Sequence, residues 1–217
     1  MTDYTTRRIV MVDTQVRPSD VTRFPIIDAM LSLPREEFVP DALREAAYIG
    51  ENLDIGKGRI MLEPRTLAKM LELADIRQGF VALDIGCGLG YSTALLANLC
   101  EFVVAVEDDE ARAEEAQRLL SGHGIDNAAV MTGPLSEGSA KSGPFDVIMI
   151  QGAVEELPDP LLAQLREGGR IVCVFDEGAL GVVRVGHKID GVVNWRFGFN
   201  AGAPLLDDFR RPAIFAL

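Results

Sequence analysis

The residues of this chain best spaced to do chemistry are Asp84-Ile85-Gly86-Cys87-Gly88-Leu89-Gly90. They follow an apolar run starting at Phe80 and precede a helix-forming stretch from Ser92 to Leu99, so they read as a glycine-lined turn from a buried strand into a helix. Glycine there lets backbone N–H groups approach a ligand with no Cβ in the way. The spacing is GxGxG rather than the GxGxxG of dinucleotide sites, because Tyr91 and Ser92 follow Gly90. Asp84 is ill placed beside a pyrophosphate but suits a ligand carrying an ammonium group and a sulfonium. Asp84, Gly86, Cys87, Gly88 and Gly90 are therefore the expected ligand-binding set. A glycine turn with no ligand is the plain alternative.

Glu107 ends the second apolar run of this part of the chain, Phe102 to Val106. An acid there can accept hydrogen bonds from both hydroxyls of a ribose, as in other nucleotide-binding α/β folds. Asp108 joins the expected cofactor set by its position. With Asp109 and Glu110 it also reads as a first-turn acid favouring the positive end of a helix. A third signal is the strand-like Phe145 to Ile150, which leads into Gln151-Gly152-Ala153 and sets Gln151 at the sheet edge that holds the glycine turn. Asp146, at the opposite end of that strand, reads as a turn or cap residue.

The elements that must position these groups form two parts. Residues 1–78 read as a helical N-terminal extension with a substrate loop. Ile9, Val10, Val12 and Val16 form one helical stripe, and Ile26, Ile27, Met30 and Leu31 another, stopped by Pro34. Asn52 to Arg59 is a glycine-bearing polar stretch, followed by an amphipathic helix from Pro64 carrying Leu67, Met70, Leu71 and Ala74. Residues 79–217 alternate strand and helix, with further strands at Ala128 to Met131 and Gly169 to Phe175 and a helix at Pro160 to Arg166. The pattern implies a mostly parallel sheet covered on both faces. Gly181 to Lys188 and Val192 to Phe197 flank Ile189-Asp190-Gly191, an antiparallel hairpin signal. The fold expected is an α/β, Rossmann-like methyltransferase fold in a single domain, and the tail from Arg210 to Leu217 is expected to dock on it.

A net charge of −12 argues against a nucleic-acid binder, because neutralising phosphates needs clustered Lys and Arg. Cys87, Cys100 and Cys173 lie inside apolar runs without CxxC spacing, so reduced buried thiols and a cytoplasmic protein are expected. His123 and His187 lack partners at ligand spacing, and no metal is expected. Nothing resembles a signal peptide or a membrane span.

Several strings resemble the protein-L-isoaspartate O-methyltransferase family along nearly the whole chain. They are Met11 to Arg17 (MVDTQVR), Leu33 to Pro40 (LPREEFVP), Ala47-Tyr48, Gly56-Lys57-Gly58, Leu83 to Gly90, and Leu161 to Val172 (LLAQLREGGRIV). The glycine motif alone would match dozens of methyltransferase families; Leu33 to Pro40 points to this one. The resemblance implies methyl transfer from S-adenosylmethionine to the free carboxylate of an isoaspartyl residue in a damaged protein or peptide, with a monomeric enzyme. The loop that the family writes Gln-Thr-Ile-Ser-x-Pro is here Arg59-Ile60-Met61-Leu62-Glu63-Pro64. Leu62 occupies the Ser position and Ile60 the Thr position. Arg59, Leu62 and Pro64 are thus the expected catalytic-loop residues, with Arg59 either a carboxylate grip or a solvated loop cation. Where the family has Gly-Asp-Gly, this chain has Thr132-Gly133-Pro134-Leu135, so Gly133 is the expected backbone contact and Pro134 stands at the adenine-binding Asp. The alternatives are a family member that binds the cofactor, or its demethylated product, as a regulatory module, and one that methylates another acceptor. An NAD-dependent oxidoreductase fits the alternating strands but not the GxGxG turn.

Overall fold

The computed structural model describes residues 3–178 and 180–211. Helix α1 (Tyr4–Met11) is capped by Asp3, whose carboxylate accepts the Thr6 N–H at 3.1 Å. It runs into a π turn over Val12–Val16, where the Arg17 N–H reaches back to the Val12 carbonyl. This wider turn corrects the expected stripe. Met11, Val12 and Val16 are buried, whereas Ile9 and Val10 are 46% and 52% exposed, because the helix changes pitch where the stripe was extrapolated at 3.6 residues per turn. Helix α2 (Phe24–Ser32) ends before Pro34, as its composition requires.

The stretch read as a polar loop is a second correction. It forms a two-stranded antiparallel sheet, β1 (Leu53–Gly56) with β2 (Arg59–Met61), pairing Leu53 with Met61 and Asp54 with Ile60. Three successive left-handed residues make the turn: Gly56, Lys57 and Gly58 at φ 92°, 52° and 73°. Helix α3 (Pro64–Ala74) follows, with Leu67, Met70, Leu71 and Ala74 all buried.

The main sheet contains β3 (Val81–Ile85), β4 (Phe102–Glu107), β5 (Ala128–Thr132), β6 (Phe145–Val154), β7 (Leu165–Asp176), β8 (Gly181–Ile189) and β9 (Val192–Asn200), in the order β5-β4-β3-β6-β7-β8-β9. From β5 to β7 every pairing is parallel; β8 and β9 are antiparallel additions turned at Asp190 and Gly191, as expected. Helices α4 (Tyr91–Ala97), α5 (Glu110–Gly122) and α6 (Asp159–Ala163) connect the parallel strands. Helix α6 is shorter than the expected run to Arg166. Leu165 already pairs with Phe145 in the sheet, and the Lys188 ammonium binds the carbonyls of Leu162, Ala163 and Leu165 at 3.3, 3.3 and 2.7 Å.

Alternate residues of the central strands feed two cores. Ala82, Val103, Val147, Met149 and Val172 face the N-terminal helices, α3 and α4. Leu83, Ile85, Val104, Val106, Ile148 and Ile171 face the other way, with Leu161, Leu206 and Phe209 over them. Both faces being covered explains why these strands read as continuous apolar runs. Strand order reverses between β3 and β6, and the glycine turn leaves β3 at that point, where open α/β sheets open a crevice at their carboxyl edge. The expected docking of the tail reaches Arg211, whose N–H donates to Glu155 at 2.7 Å; the remainder of that expectation, 212–217, lies outside the described residues.

Candidate functional site

The floor of the site is the turn after β3. Gly86, Gly88 and Gly90 take φ of 71°, 60° and 93°, a region L side chains rarely enter. The Gly86 N–H donates to the Val106 carbonyl at 2.8 Å, tying the turn to β4. Asp84 is fully buried beneath it and accepts three hydrogen bonds: Ser92 Oγ at 2.6 Å, Thr93 Oγ1 at 2.7 Å and Gln151 Nε2 at 2.7 Å. Asp84 thus joins β3, the first turn of α4 and the end of β6. Burial raises its carboxyl above the ordinary aspartate value, and the three hydrogen bonds pull it back. The Asp84 and Gln151 of the sequence reading do meet, in contact with each other.

Glu107 ends β4, also fully buried. Its Oε2 accepts the Gly88 N–H at 2.9 Å. Its Oε1 accepts Arg112 Nη1 at 2.7 Å, Arg59 Nε at 3.2 Å and the Asp108 N–H at 3.2 Å. Burial lifts the Glu107 carboxyl above its ordinary value and Asp108 adds to the rise, while Arg59, Arg112 and the Gly88 N–H oppose it. Burial also works against the charge on exposed Asp108, but its hydrogen bond to Glu107 and its ion pair with Arg59 hold it below the usual carboxylate range. Asp109 caps α5 through the Arg112 N–H at 3.0 Å, the structural role expected for a first-turn acid.

The roof is the β1–β2 hairpin. Ile55 lies so close over the turn that a Cβ on Gly88 would come within 2.7 Å of its Cδ1. Arg59 is 5% exposed, not a solvated loop cation; it pairs with Glu107 and, through Nη2, with Asp108 at 2.6 Å. Lys57 pairs with Asp109, and Arg112 Nη2 donates to the Gly56 carbonyl at 3.2 Å. The chain then enters the loop to Pro64, the buried first residue of α3. The Leu62 side chain is buried, and its carbonyl accepts Arg35 Nη2 at 2.7 Å. Between roof and floor a cavity of about 20 Å³ remains, bordered by Ile55, Met61, Leu62, Cys87, Tyr91 and Gln151. That is room for roughly one water. Burial raises the Cys87 thiol well above its ordinary value, so it lines the cavity as a small apolar group.

Gly133 lies one residue beyond β5, its N–H donating to the Glu107 carbonyl at 3.0 Å. Pro134 is exposed and starts a short turn whose Leu135 and Ser136 N–H groups donate to Asp208 at 2.7 and 3.4 Å. Asp146, expected as a turn or cap residue at the far edge, lies within β6 and ties neighbouring strands instead, accepting the Val81 N–H at 2.8 Å and pairing with Arg166 at 2.6 Å.

Sequence reasoning missed Arg112, Ser92, Thr93, Arg35 and Asp208. Arg112 had a signal: a cation in the first turn of a helix opposes the helix dipole and needs another reason to be there. Arg35 is fully buried, donates to the Ala47 carbonyl at 2.6 Å and to that of Leu62, and lies over the Tyr91 ring at 4.9 Å. Its motif was noted for resemblance, yet nothing local announced its burial. No group of three or more His, Cys, Asp or Glu among the described residues could hold a metal ion.

A mostly parallel seven-stranded sheet with a glycine turn at its switch point and an acid ending the next strand defines the Rossmann-like methyltransferase class. Two solved structures share the fold across nearly all of this chain. One protein-L-isoaspartate O-methyltransferase superposes with a TM-score of 0.79 at 23% identity, covering 94% of this chain and 66% of that one. The other, a Plasmodium falciparum β-aspartate methyltransferase in complex with S-adenosyl-L-homocysteine, gives 0.78 at 19% identity, covering 96% and 100%. The chain belongs to the protein-L-isoaspartate(D-aspartate) O-methyltransferase family, whose model matches residues 11–196. The family's members are S-adenosylmethionine-dependent O-methyltransferases. The protein-L-isoaspartate O-methyltransferase of Koribacter versatilis is 38% identical over 191 residues, covering 88% of this chain and 86% of that protein. That of Vibrio campbellii is 39% identical over 152 residues, covering 70% and 73%.

Proposed function

We propose that this chain methylates the carboxyl group of an isoaspartyl residue in a polypeptide, with S-adenosylmethionine held along the carboxyl edge of β3, β4 and β6. The observation that carries the reading is the buried Glu107 carboxylate fixed 2.9 Å from the Gly88 N–H. An acid acceptor beside a turn without Cβ atoms suits a ribose diol and the close approach of the rest of the nucleoside. The residues present fit the group. Glu107 would accept the ribose hydroxyls, Gly86 and Gly88 would border the nucleoside, and the exposed turn at Gly133 would meet adenine through its backbone, since Pro134 offers no carboxylate.

Bound there, the cofactor supplies a methyl group on a positively charged sulfur. A carboxylate acceptor is already a nucleophile at neutral pH, so the protein's contribution is alignment and the exclusion of water. Asp84 serves as a positioning residue, because its hydrogen bonds fix the start of α4 and the end of β6 rather than leaving it open to a ligand. Leu62 and Ile60 offer the acceptor no hydroxyl, and losing one hydrogen bond to a charged group costs about 1.5–3 kcal/mol, roughly ten- to a hundred-fold in rate. That apolar slot favours a second reading, a family member that holds the cofactor and transfers slowly or not at all.

The proposal includes a monomer that works in the cytoplasm without nucleic acid. Support comes from the net charge of −12 and from cysteines that are all free and buried. No helix among the described residues is long and apolar enough to cross a membrane. The test is transfer of radiolabelled methyl to paired peptides carrying isoaspartyl or normal aspartyl residues. Base-labile label on the isoaspartyl peptide alone is expected, with Leu62→Ser raising the rate at least tenfold. Cofactor binding with no label on either peptide, and no gain from Leu62→Ser, would establish the second reading.

A further inference from the structure

A carboxylate offers about four lone-pair positions. Four donors already converge on Glu107: the Gly88 and Asp108 N–H groups, Arg112 and Arg59. Three of them crowd Oε1 and only the Gly88 N–H is on Oε2, so one ribose hydroxyl finds a lone pair there, and the second can be accepted only if a donor leaves Oε1. Gly88 and Asp108 are fixed by the backbone of the floor, and Arg112 by the first turn of α5. Arg59 is the donor that comes from the roof. It sits on a three-residue strand with a single strand partner, reached through the left-handed turn at Gly56, Lys57 and Gly58.

Leu53, Ile60 and Met61 root the hairpin in the core, while its turn end is held to the end of β4 and the start of α5 by polar contacts: Arg59 with Glu107 and Asp108, Lys57 with Asp109, and Arg112 with the Gly56 carbonyl. From this geometry we infer that Arg59 is an intramolecular competitor for the cofactor. It occupies the Glu107 carboxylate and latches the turn end of the β1–β2 hairpin over the glycine turn, so that an adenosyl ligand binds only as Arg59 withdraws and that end lifts. Arg59 thereby sets cofactor affinity, a role different from a grip on the acceptor carboxylate. The inference rests on the reading of Glu107 as the ribose acceptor.

Calorimetry of the full chain with S-adenosylhomocysteine separates the two ideas. Arg59→Gln is expected to bind at least tenfold more tightly than wild type, and Glu107→Ala at least tenfold more weakly. If Glu107→Ala weakens binding while Arg59→Gln leaves it unchanged or weakens it, the competition is overturned and the ribose assignment stands. If Glu107→Ala binds like wild type, the ribose assignment fails and the inference falls with it. Hydrogen exchange of the ligand-free proteins gives a readout independent of affinity. Amides over 53–61 should exchange at least tenfold faster in Arg59→Gln, with those of β3 and β4 unchanged; equal protection in both proteins would mean that Arg59 does not latch the hairpin. Arg59→Lys, which keeps the charge but not the guanidinium fork, should lie between the two if Arg59→Gln proves too unstable to titrate.

Discussion

The glycine turn after β3 and the hairpin that covers it lie in contact, yet they are held by different means. The turn grows out of a strand buried on both faces. Gly86 is tied to β4 through the Val106 carbonyl, Gly88 through the Glu107 carboxylate and Gly90 back to the Cys87 carbonyl, and Asp84 beneath the turn binds three side chains from two further elements. The hairpin has seven strand residues, a solvent-exposed turn and a polar latch to the floor. The apolar contact of Ile55 with the turn adds to that latch. The hairpin also buries Leu53, Ile60 and Met61 in the core, so its exposed turn, latched by ion pairs, is the part where local opening costs least. The contrast places precision in the floor and the latch at the turn end of the roof.

The sharpest way to break that comparison is to attack the floor. Asp84→Leu leaves Ser92, Thr93 and Gln151 without their shared acceptor in a buried place, and is expected to cost about 3 kcal/mol or more in urea unfolding at roughly 1 kcal/mol or more for each stranded group. A loss under about 1 kcal/mol would mean that the floor is not held by this carboxylate. Gly88→Ala forces an L residue to φ 60° and pushes on Ile55. About 1–2 kcal/mol of stability should go, with faster exchange in the hairpin than in β3. Uniformly faster exchange would erase the distinction between the two regions.

A subtler check uses pH. Burial holds the Asp84 carboxyl above 3.8 in the folded protein, so between 3.8 and that raised value the folded state binds more protons than the unfolded one. Stability from this group therefore falls as the pH rises through that interval. The advantage of wild type over Asp84→Asn in urea unfolding should shrink as the pH is raised from about 4 towards 7; a widening gap would reverse the assignment. The smallest effect belongs to the roof. Lys57→Ala removes an ion pair whose Lys57 side chain is 71% exposed, and should change global stability by less than about 1 kcal/mol.

The positions of several candidate residues could be read directly. Asp84, the three glycines, Glu107 and Gln151 lie where strand ends and turn chemistry put them, because a parallel sheet brings the carboxyl ends of neighbouring strands together whatever the loops do. The hairpin could not be read the same way. Its strands are three and four residues long, too short for a period to show, and its glycines looked like loop. Arg59 was weighed as a grip or a solvated cation. That it is buried against Glu107 depends on a contact 48 residues away in sequence. Arg112 and Arg35 escaped for a related reason, since a buried cation is defined by partners from other elements.

By itself the sequence determined the alternating α/β architecture, the glycine turn and the family, because these depend on local apolar periodicity, on backbone conformations that only glycine adopts easily, and on strings of adjacent residues. The tertiary structure alone decided what the charges near the turn do. Asp84 became an internal anchor, Glu107 a carboxylate with three donors crowded on one oxygen and Arg59 a latch. A charged side chain takes its role from the counter-charges and hydrogen-bond donors that folding brings within about 3 Å, and sequence spacing does not encode that distance.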